Sequence, residues 1–469
     1  MSTINESAIK TPGVYINEIP SFPPSVAQVA TAIPAFIGYT QNAENADGDD
    51  LTLKPTKIYS LLEYVQNFGK AEDEDGIEVN VTIVSGQITA VKATHASPSN
   101  HNMYYALRHF FDNGGGQCYI ISVGDTTTAA GTIDDTELLS GLNVLAAYDE
   151  PTLIVFPEGQ GISDKSKYYA LVGSAIDQCA TLQDRFTLVD VHTQELTTST
   201  TMTNFRTDFS KTDNLNYAAT YYPNLLTTYE YQYQETDVDV IITTDAVPAA
   251  GVSMDTLPGA QGAVYFAAKA AIQKLGPTLP PTPAVAGLYA KVDGSRGVWK
   301  APANVSVSYV KELTDFITDA EQETMNIDVD AGKSVNAIRA FVGKGTLVWG
   351  ARTLDGNSNE WRYVSVRRFF IMVEESTKKA TYQFVFEPND ANTWVKIRAM
   401  IENYLTVLWR QGALAGAKPE HAFFVKVGLG QTMTALDILE GRLIVEIGMA
   451  AVRPAEFIIL RFMHKMQES

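Results

Sequence analysis

The residues best placed to do chemistry are Gly332-Lys-Ser334, the histidines and the acidic pair Asp328 and Asp330. A phosphate loop needs Gly-x-x-x-x-Gly-Lys-Ser/Thr, so that successive backbone N–H groups cradle the phosphates. Here Ile327 replaces the first glycine, no apolar strand leads in, and the two aspartates would set negative charge beside the phosphates. The segment is a fragment of the motif without its context. Asn113-Gly-Gly-Gly116 follows a helix-like run and precedes a strand-like one, the reverse of a dinucleotide loop, and reads as a turn. The six histidines are His95, His101, His109, His192, His421 and His464, and no pair has the i, i+4 spacing of a helical zinc site. His101 and His109, with Asp112, could make a proton relay or a metal constellation, and Asp328-Val-Asp330 could chelate a divalent ion. The simpler expectations are a partly buried helix face and a solvated loop. No Gly-x-Ser-x-Gly elbow occurs. No catalytic residue, metal or cofactor is therefore nominated.

Composition narrows the classes further. A length of 469 residues predicts two to four domains at roughly one per 100–200 residues. The 45% apolar share is that of a chain burying a real core. No apolar run approaches the ~20 residues of a membrane span, and Met1-Ser-Thr-Ile-Asn-Glu6 lacks the basic start of a secretion signal. A soluble protein made in the cytoplasm, without membrane insertion, is expected. Cys118 and Cys179 are too few for a disulfide scaffold and are expected in the core. With 54 acidic and 35 basic residues the net charge is −19, which argues against a nucleic-acid partner, since phosphates call for a basic face. Residues 391–469 carry +2 of that charge and residues 1–390 carry −21.

Positioning elements follow from periodicity. Thr11-Pro-Gly-Val-Tyr-Ile-Asn-Glu-Ile-Pro20 and Pro23-Pro24 read as an extended arm. Residues 59–68 predict a helix with Ser60 as cap and Gly69 as stop, and residues 77–93 a hairpin turning at Ser85-Gly86. Short apolar runs at 117–123, 152–156 and 186–190, alternating with helical stretches, predict a three-layer α/β domain. Residues 226–246 look like inserted β structure, and Gly276-Pro-Thr-Leu-Pro-Pro-Thr-Pro283 like a linker. From Trp394 to Arg410 a helix is expected, with Trp394, Ile397, Met400, Ile401, Tyr404, Leu405 and Leu408 as one apolar stripe and Gly412 as its stop. The chain then closes on the apolar run Glu456-Phe-Ile-Ile-Leu-Arg-Phe-Met463. Such a strand needs partners for its backbone donors and acceptors.

Eight strings accumulate into a family pattern: Thr11-Pro-Gly-Val-Tyr15, Phe110-Phe-Asp-Asn-Gly-Gly115, Gly297-Val-Trp-Lys-Ala-Pro-Ala-Asn304, Trp349-Gly-Ala-Arg-Thr-Leu354, Trp361-Arg-Tyr-Val-Ser-Val-Arg-Arg-Phe369, Phe386-Glu-Pro-Asn389, Gly412-Ala-Leu-Ala-Gly416 and Pro454-Ala-Glu-Phe457. In this order they resemble the contractile tail sheath proteins of phage tails, bacteriocin particles and extracellular injection systems. Residues 40–100 and 195–262 match less clearly.

The resemblance implies an α/β protein: an α+β core domain built from both chain ends, with a three-layer α/β domain carrying β insertions between them. The expected boundaries are an N-terminal arm at 1–25, the start of the core with a variable hairpin at 26–100, the middle domain at 101–350 with a variable outer insertion at 195–262, the C-terminal core at 351–452 and a second arm at 453–469. Both arms are implied to add strands to neighbouring subunits, through Val14, Tyr15 and Ile16 at one end and Phe457, Ile458, Ile459 and Leu460 at the other. The Trp394–Arg410 helix is implied to face an inner tube, with Lys396, Arg398, Arg410 and Lys418 as contacts. The implied partners are further copies of the chain in a helical sheath, an inner tube protein, and baseplate and tail-terminator proteins. Such a subunit is assembled in the bacterial cytoplasm and carried in a phage tail or a released particle, and it is no enzyme. A static shell block and an α/β nucleotide- or sugar-binding enzyme are the rival classes.

Overall fold

Nine short runs form one sheet in the computed structural model: Pro34–Thr40 (β1), Thr56–Ile58 (β2), Cys118–Asp125 (β3), Leu153–Val155 (β4), Phe186–Asp190 (β5), Ala218–Tyr222 (β6), Val305–Ser306 (β7), Val335–Phe341 (β8) and Gly345–Val348 (β9). Their spatial order is β7-β9-β8-β6-β5-β4-β1-β3-β2. The six from β8 to β3 are parallel, and antiparallel β9 and β2 flank them. Parallel strands are covered on both faces, and every residue of β1, β4 and β5 is buried, the polar Thr40, Thr187 and Asp190 included. The structure describes residues 26–461 except 130, 193, 194, 196, 258 and 260. Its described residues divide into a unit of 30–374 with 453–461 and a unit of 26–29 with 375–452.

In the larger unit, helices Met103–Asp112 (α1), Lys165–Leu182 (α2) and Thr282–Arg296 (α3) pack against the sheet. Cys118 and Cys179 are buried and free. The helix at Leu61–Phe68 starts where expected, Ser60 accepting from the Glu63 amide, and stops at Gly69 with φ 81°. The hairpin also forms, Ile77–Val84 pairing antiparallel with Gln87–His95 through Ser85 (φ 49°) and Gly86 (φ 74°). Val238–Thr244 pairs parallel with Ile77–Val84, so two insertions far apart in sequence share one five-stranded sheet.

Two expectations change. Gly276–Pro283 is no linker: Thr278–Leu279 pairs with Leu225–Thr227, and Pro283 opens α3. Proline just inside a helix start costs no hydrogen bond, so the prolines here begin a helix instead of separating domains. A Cβ on Gly276 would lie 2.2 Å from the Thr227 carbonyl oxygen. The middle-domain boundaries also shift. β1 and β2, expected with the 26–100 core segment, belong to the nine-stranded sheet, and the larger unit runs to Glu374 instead of residue 350. Close packing of β1 between β3 and β4 is the reason.

The smaller unit contains the C-terminal part of helix Val364–Thr381 (α4), helix Ala391–Arg410 (α5) and the ribbon Phe423–Val427 (β10) with Val445–Met449 (β11). Asp390 caps α5, accepting from the Asn392 and Thr393 amides. Ile397, Met400, Ile401, Tyr404, Leu405 and Leu408 are buried as expected, while Trp394 is only half-buried, its indole donating to Asn389 Oδ1 at 2.7 Å. Gly412 follows with φ 85°.

Candidate assembly interfaces

A doubly wound sheet binds ligands beyond the carboxyl ends of its strands where the strand order reverses. Here that place lies between β1 and β4, and Glu158 fills it. Its carboxylate accepts from the Tyr39 amide at 2.7 Å and from the Met103 amide, at the start of α1, at 3.3 Å. A helix N-terminus favours negative charge, so the fold's own carboxylate takes the position an anionic ligand would use. His101 Nδ1 stands 3.7 Å from Glu158. Burial works against a charge on His101, yet the neighbouring Glu158 carboxylate outweighs it and raises the His101 pKa.

The residues singled out for chemistry are dispersed. Lys333 is buried and its ammonium donates to the Phe209 carbonyl. Ser334 Oγ donates to the Asn326 carbonyl at 2.6 Å, and Asp328 pairs with Arg206 at 3.2 Å. The phosphate-loop fragment is thus an internal turn. His109 Nε2 meets the Ser308 carbonyl at 3.0 Å, and burial lowers its pKa to about 4. Asp112 accepts from Tyr229 at 2.8 Å. His101, His109 and Asp112 therefore serve separate partners and form no relay.

Surfaces that need a partner lie elsewhere. After Val452 the chain passes through Arg453 to Arg461 without backbone pairing to any described residue. Phe457, Ile458, Ile459 and Leu460 are 68–78% exposed. Four consecutive apolar side chains in water, with open backbone groups, are an unsatisfied strand. The expected terminal strand therefore has no partner within its own described chain. Its root is held, however: Glu456 binds Arg352 in a two-pronged ion pair. Val14, Tyr15 and Ile16 lie outside the described residues.

A second open surface is the ribbon. β10 and β11 pair in register from Phe423↔Met449 to Val427↔Val445, and among the described residues neither has a second strand neighbour. Val425 and Val427 are buried on the side packed against α5, while Phe424 and Lys426 face outward. Gly448 stands opposite Phe424 because a Cβ there would lie 2.2 Å from the ring. Sequence reasoning missed both the ribbon's open edges and Glu456; the alternation in Phe423–Val427 was the available signal.

The basic residues on and after α5 are not equivalent. Lys396, Arg410 and Lys418 are exposed. At about 100° per residue, Lys396 and Arg410 lie on the same side of the helix and Arg398 lies on the other flank. Arg398 is half-buried, paired with Glu402 at 3.2 Å and donating to the Val425 carbonyl at 3.3 Å. Lys418 precedes the short helix Pro419–Ala422. No helix among the described residues is long and apolar enough to cross a membrane.

A model of the phage tail sheath C-terminal domain matches residues 357–464. Over 122 residues the chain is 25% identical to the tail sheath protein of Vibrio phage KVP40 (isolate Vibrio parahaemolyticus/Japan/Matsuzaki/1991); the match covers 26% of this chain but only 18% of that protein. The sheath of the PVC extracellular contractile injection system, in its contracted state, is 31% identical with a TM-score of 0.65, over 97% of this chain and 98% of that one. The helical sheath of the anti-feeding prophage, also contracted, is 31% identical with a TM-score of 0.65, over 97% of this chain and 100% of that one. With its motifs in family order, its mixed α/β fold and this identity across nearly the whole length, the chain belongs to the contractile tail sheath protein family.

Proposed function

We propose that this chain is the repeating subunit of a contractile sheath that polymerises helically around an inner tube and contracts from a metastable extended lattice, driving the tube through a target envelope. The observation that carries the proposal is the presence on one subunit of two open surfaces: an exposed apolar segment at Phe457–Leu460 and a two-stranded ribbon, neither of which pairs with a further strand among the described residues. Strand addition between copies satisfies both. Relatives seen as sheaths in the contracted state support the reading.

In the proposed mechanism, Phe457–Leu460 of one copy adds to the ribbon of a neighbour, and the N-terminal arm around Val14, Tyr15 and Ile16 adds similarly. Identical copies joined this way form an open helical array, because a head-to-tail contact that does not close continues indefinitely. On triggering, the units move as bodies while the exchanged strands keep them linked. The driving energy is the difference between two packings of the same surfaces, so no nucleotide is consumed. Lys396, Arg410 and Lys418 supply weak contacts to an acidic tube, with Arg398 a lesser contributor. Exposed ion pairs of about 0–1 kcal/mol each hold the tube yet release it. Baseplate and tail-terminator proteins would bound the array, which is assembled in the bacterial cytoplasm and carried in a phage tail or a released particle.

Deleting residues 457–469 tests the proposal. The truncated chain should stay folded and fail to polymerise; normal sheath formation would overturn it.

A further inference from the structure

The arm expected at 453–469 is not uniformly free, and its root shows how it is fixed. Glu456 Oε1 accepts from Arg352 Nε at 3.0 Å and from Asn326 Nδ2 at 2.7 Å, while Oε2 accepts from Arg352 Nη2 at 2.7 Å and from the Tyr363 hydroxyl at 3.1 Å. Four donors on one carboxylate, two of them from a planar guanidinium, make a directional grip. Arg352 is itself held. Its side chain is 4% exposed and donates from Nη1 to the Asn326 and Gly356 carbonyls. Its backbone amide donates to Asn336 Oδ1 and its carbonyl accepts from Asn336 Nδ2, both at 2.7 Å. Asn336 belongs to β8, inside the nine-stranded sheet. A continuous chain of hydrogen bonds thus runs from the sheet through Asn336 and Arg352 to Glu456. One residue later the exposed apolar run begins.

We infer that the Arg352–Glu456 pair is the anchor of the exchanged strand: it fixes where the arm leaves its own subunit, so that residues 457 onward exchange while 453–456 remain with the parent, and it transmits the pull of the neighbour into the nine-stranded sheet. The inference rests on the strand-exchange reading above. Glu456 and Arg352 act as positioning residues, since neither need touch the neighbouring copy. Without the grip the arm still carries its apolar run, but the tether lengthens, and tension during contraction falls on the unpaired backbone of Arg453 to Ala455.

The test separates this inference from its premise. Spin labels are placed on Ala455→Cys and, separately, Ile459→Cys in the full unassembled chain; Cys118 and Cys179 are buried and stay unlabelled. The label at 459 should move freely in every variant. The label at 455 should be at least threefold slower than at 459, and Glu456→Gln should abolish that difference. Equal mobility at both positions in the parent protein would overturn the anchor. In assembly, Glu456→Gln should still polymerise, since the exchanged strand is intact, but its sheaths should break on contraction into segments at least threefold shorter. Undiminished length would also overturn it. Should Glu456→Gln lower folding yield, Tyr363→Phe and Asn326→Ala each remove one bond to the same carboxylate and should give intermediate lengths; lengths equal to the parent's in both would count against the anchor. Deletion of 457–469 reports on strand exchange alone, whatever the labels show at 455.

Discussion

Replacing Ile459 should move the polymerisation threshold far more than a surface residue normally moves anything. Phe457, Ile458, Ile459 and Leu460 are 68%, 78%, 78% and 72% exposed in the isolated subunit. Burying such a side chain contributes about 1.5–3 kcal/mol; scaled to the area still open, the segment gains roughly 4–9 kcal/mol. Ordering four residues of backbone opposes this by about 4–8 kcal/mol. Apolar burial and chain entropy nearly cancel, and the strand hydrogen bonds, about 0.5–1.5 kcal/mol each, decide the sign. A junction so finely balanced is sensitive to a single side chain. Ile459→Ala removes about 1–2 kcal/mol, and with a factor of ten per 1.4 kcal/mol the critical concentration should rise on the order of tenfold. Ile459→Asp also buries an unpaired carboxylate and should abolish assembly in the accessible range. Sedimentation across a concentration series reads the threshold, and circular dichroism confirms an unchanged fold. A threshold within twofold of the parent's for Ile459→Asp would refute the reasoning.

Four further outcomes follow from named groups. Lys396→Glu should weaken co-sedimentation of the sheath with its tube more than Arg398→Gln does, because the Arg398 guanidinium already serves Glu402 and the Val425 carbonyl; the reverse order would contradict the assignment. Arg185, 1% exposed, donates to Asp184, Gln178 and the Leu145 and Tyr148 carbonyls. Arg185→Met strands Asp184 and should destabilise by about 3–5 kcal/mol, read by denaturant unfolding. Burial pushes the Asp190 carboxyl from 3.8 up to about 7, against the opposing bonds from Thr282. The folded state then binds that proton more tightly than the unfolded one, so stability falls as pH rises between those values; Asp190→Asn should flatten the melting temperature across that window. For Glu456, burial opposes ionisation, but Arg352, Asn326 and Tyr363 outweigh it and hold the pKa below the usual range. That contribution is present at neutral pH and lost as pH falls through the depressed value, so a label at 455 should loosen in acid and not in alkali.

What the sequence discloses is local. Ser60 and Gly69 bracket a helix, Ser85-Gly86 turns a hairpin, and the stripe from Ile397 to Leu408 buries one face of α5, because each signal acts within a few residues. What it conceals is long-range. Nothing near Val238 announces a parallel partner at Ile77, and nothing near Glu158 shows that its carboxylate closes the crevice between β1 and β4. Gly276–Pro283 carries the composition of a linker but forms a short strand and a helix start. At the candidate interfaces the apolar run at 457–460 is legible as a strand in need of partners, whereas the grip at its root is not: Glu456 is one acidic residue among 54 until Arg352, Asn326 and Tyr363 converge on it from elsewhere in the chain.

The most direct test of the central claim is electron microscopy of the purified chain, expressed alone and together with a small inner-tube protein. A two-state sheath predicts hollow striated cylinders, wide and short when the chain is alone, longer and narrower around a tube. A discrete soluble monomer or small oligomer under both conditions, or a single unchanging lattice, would contradict it.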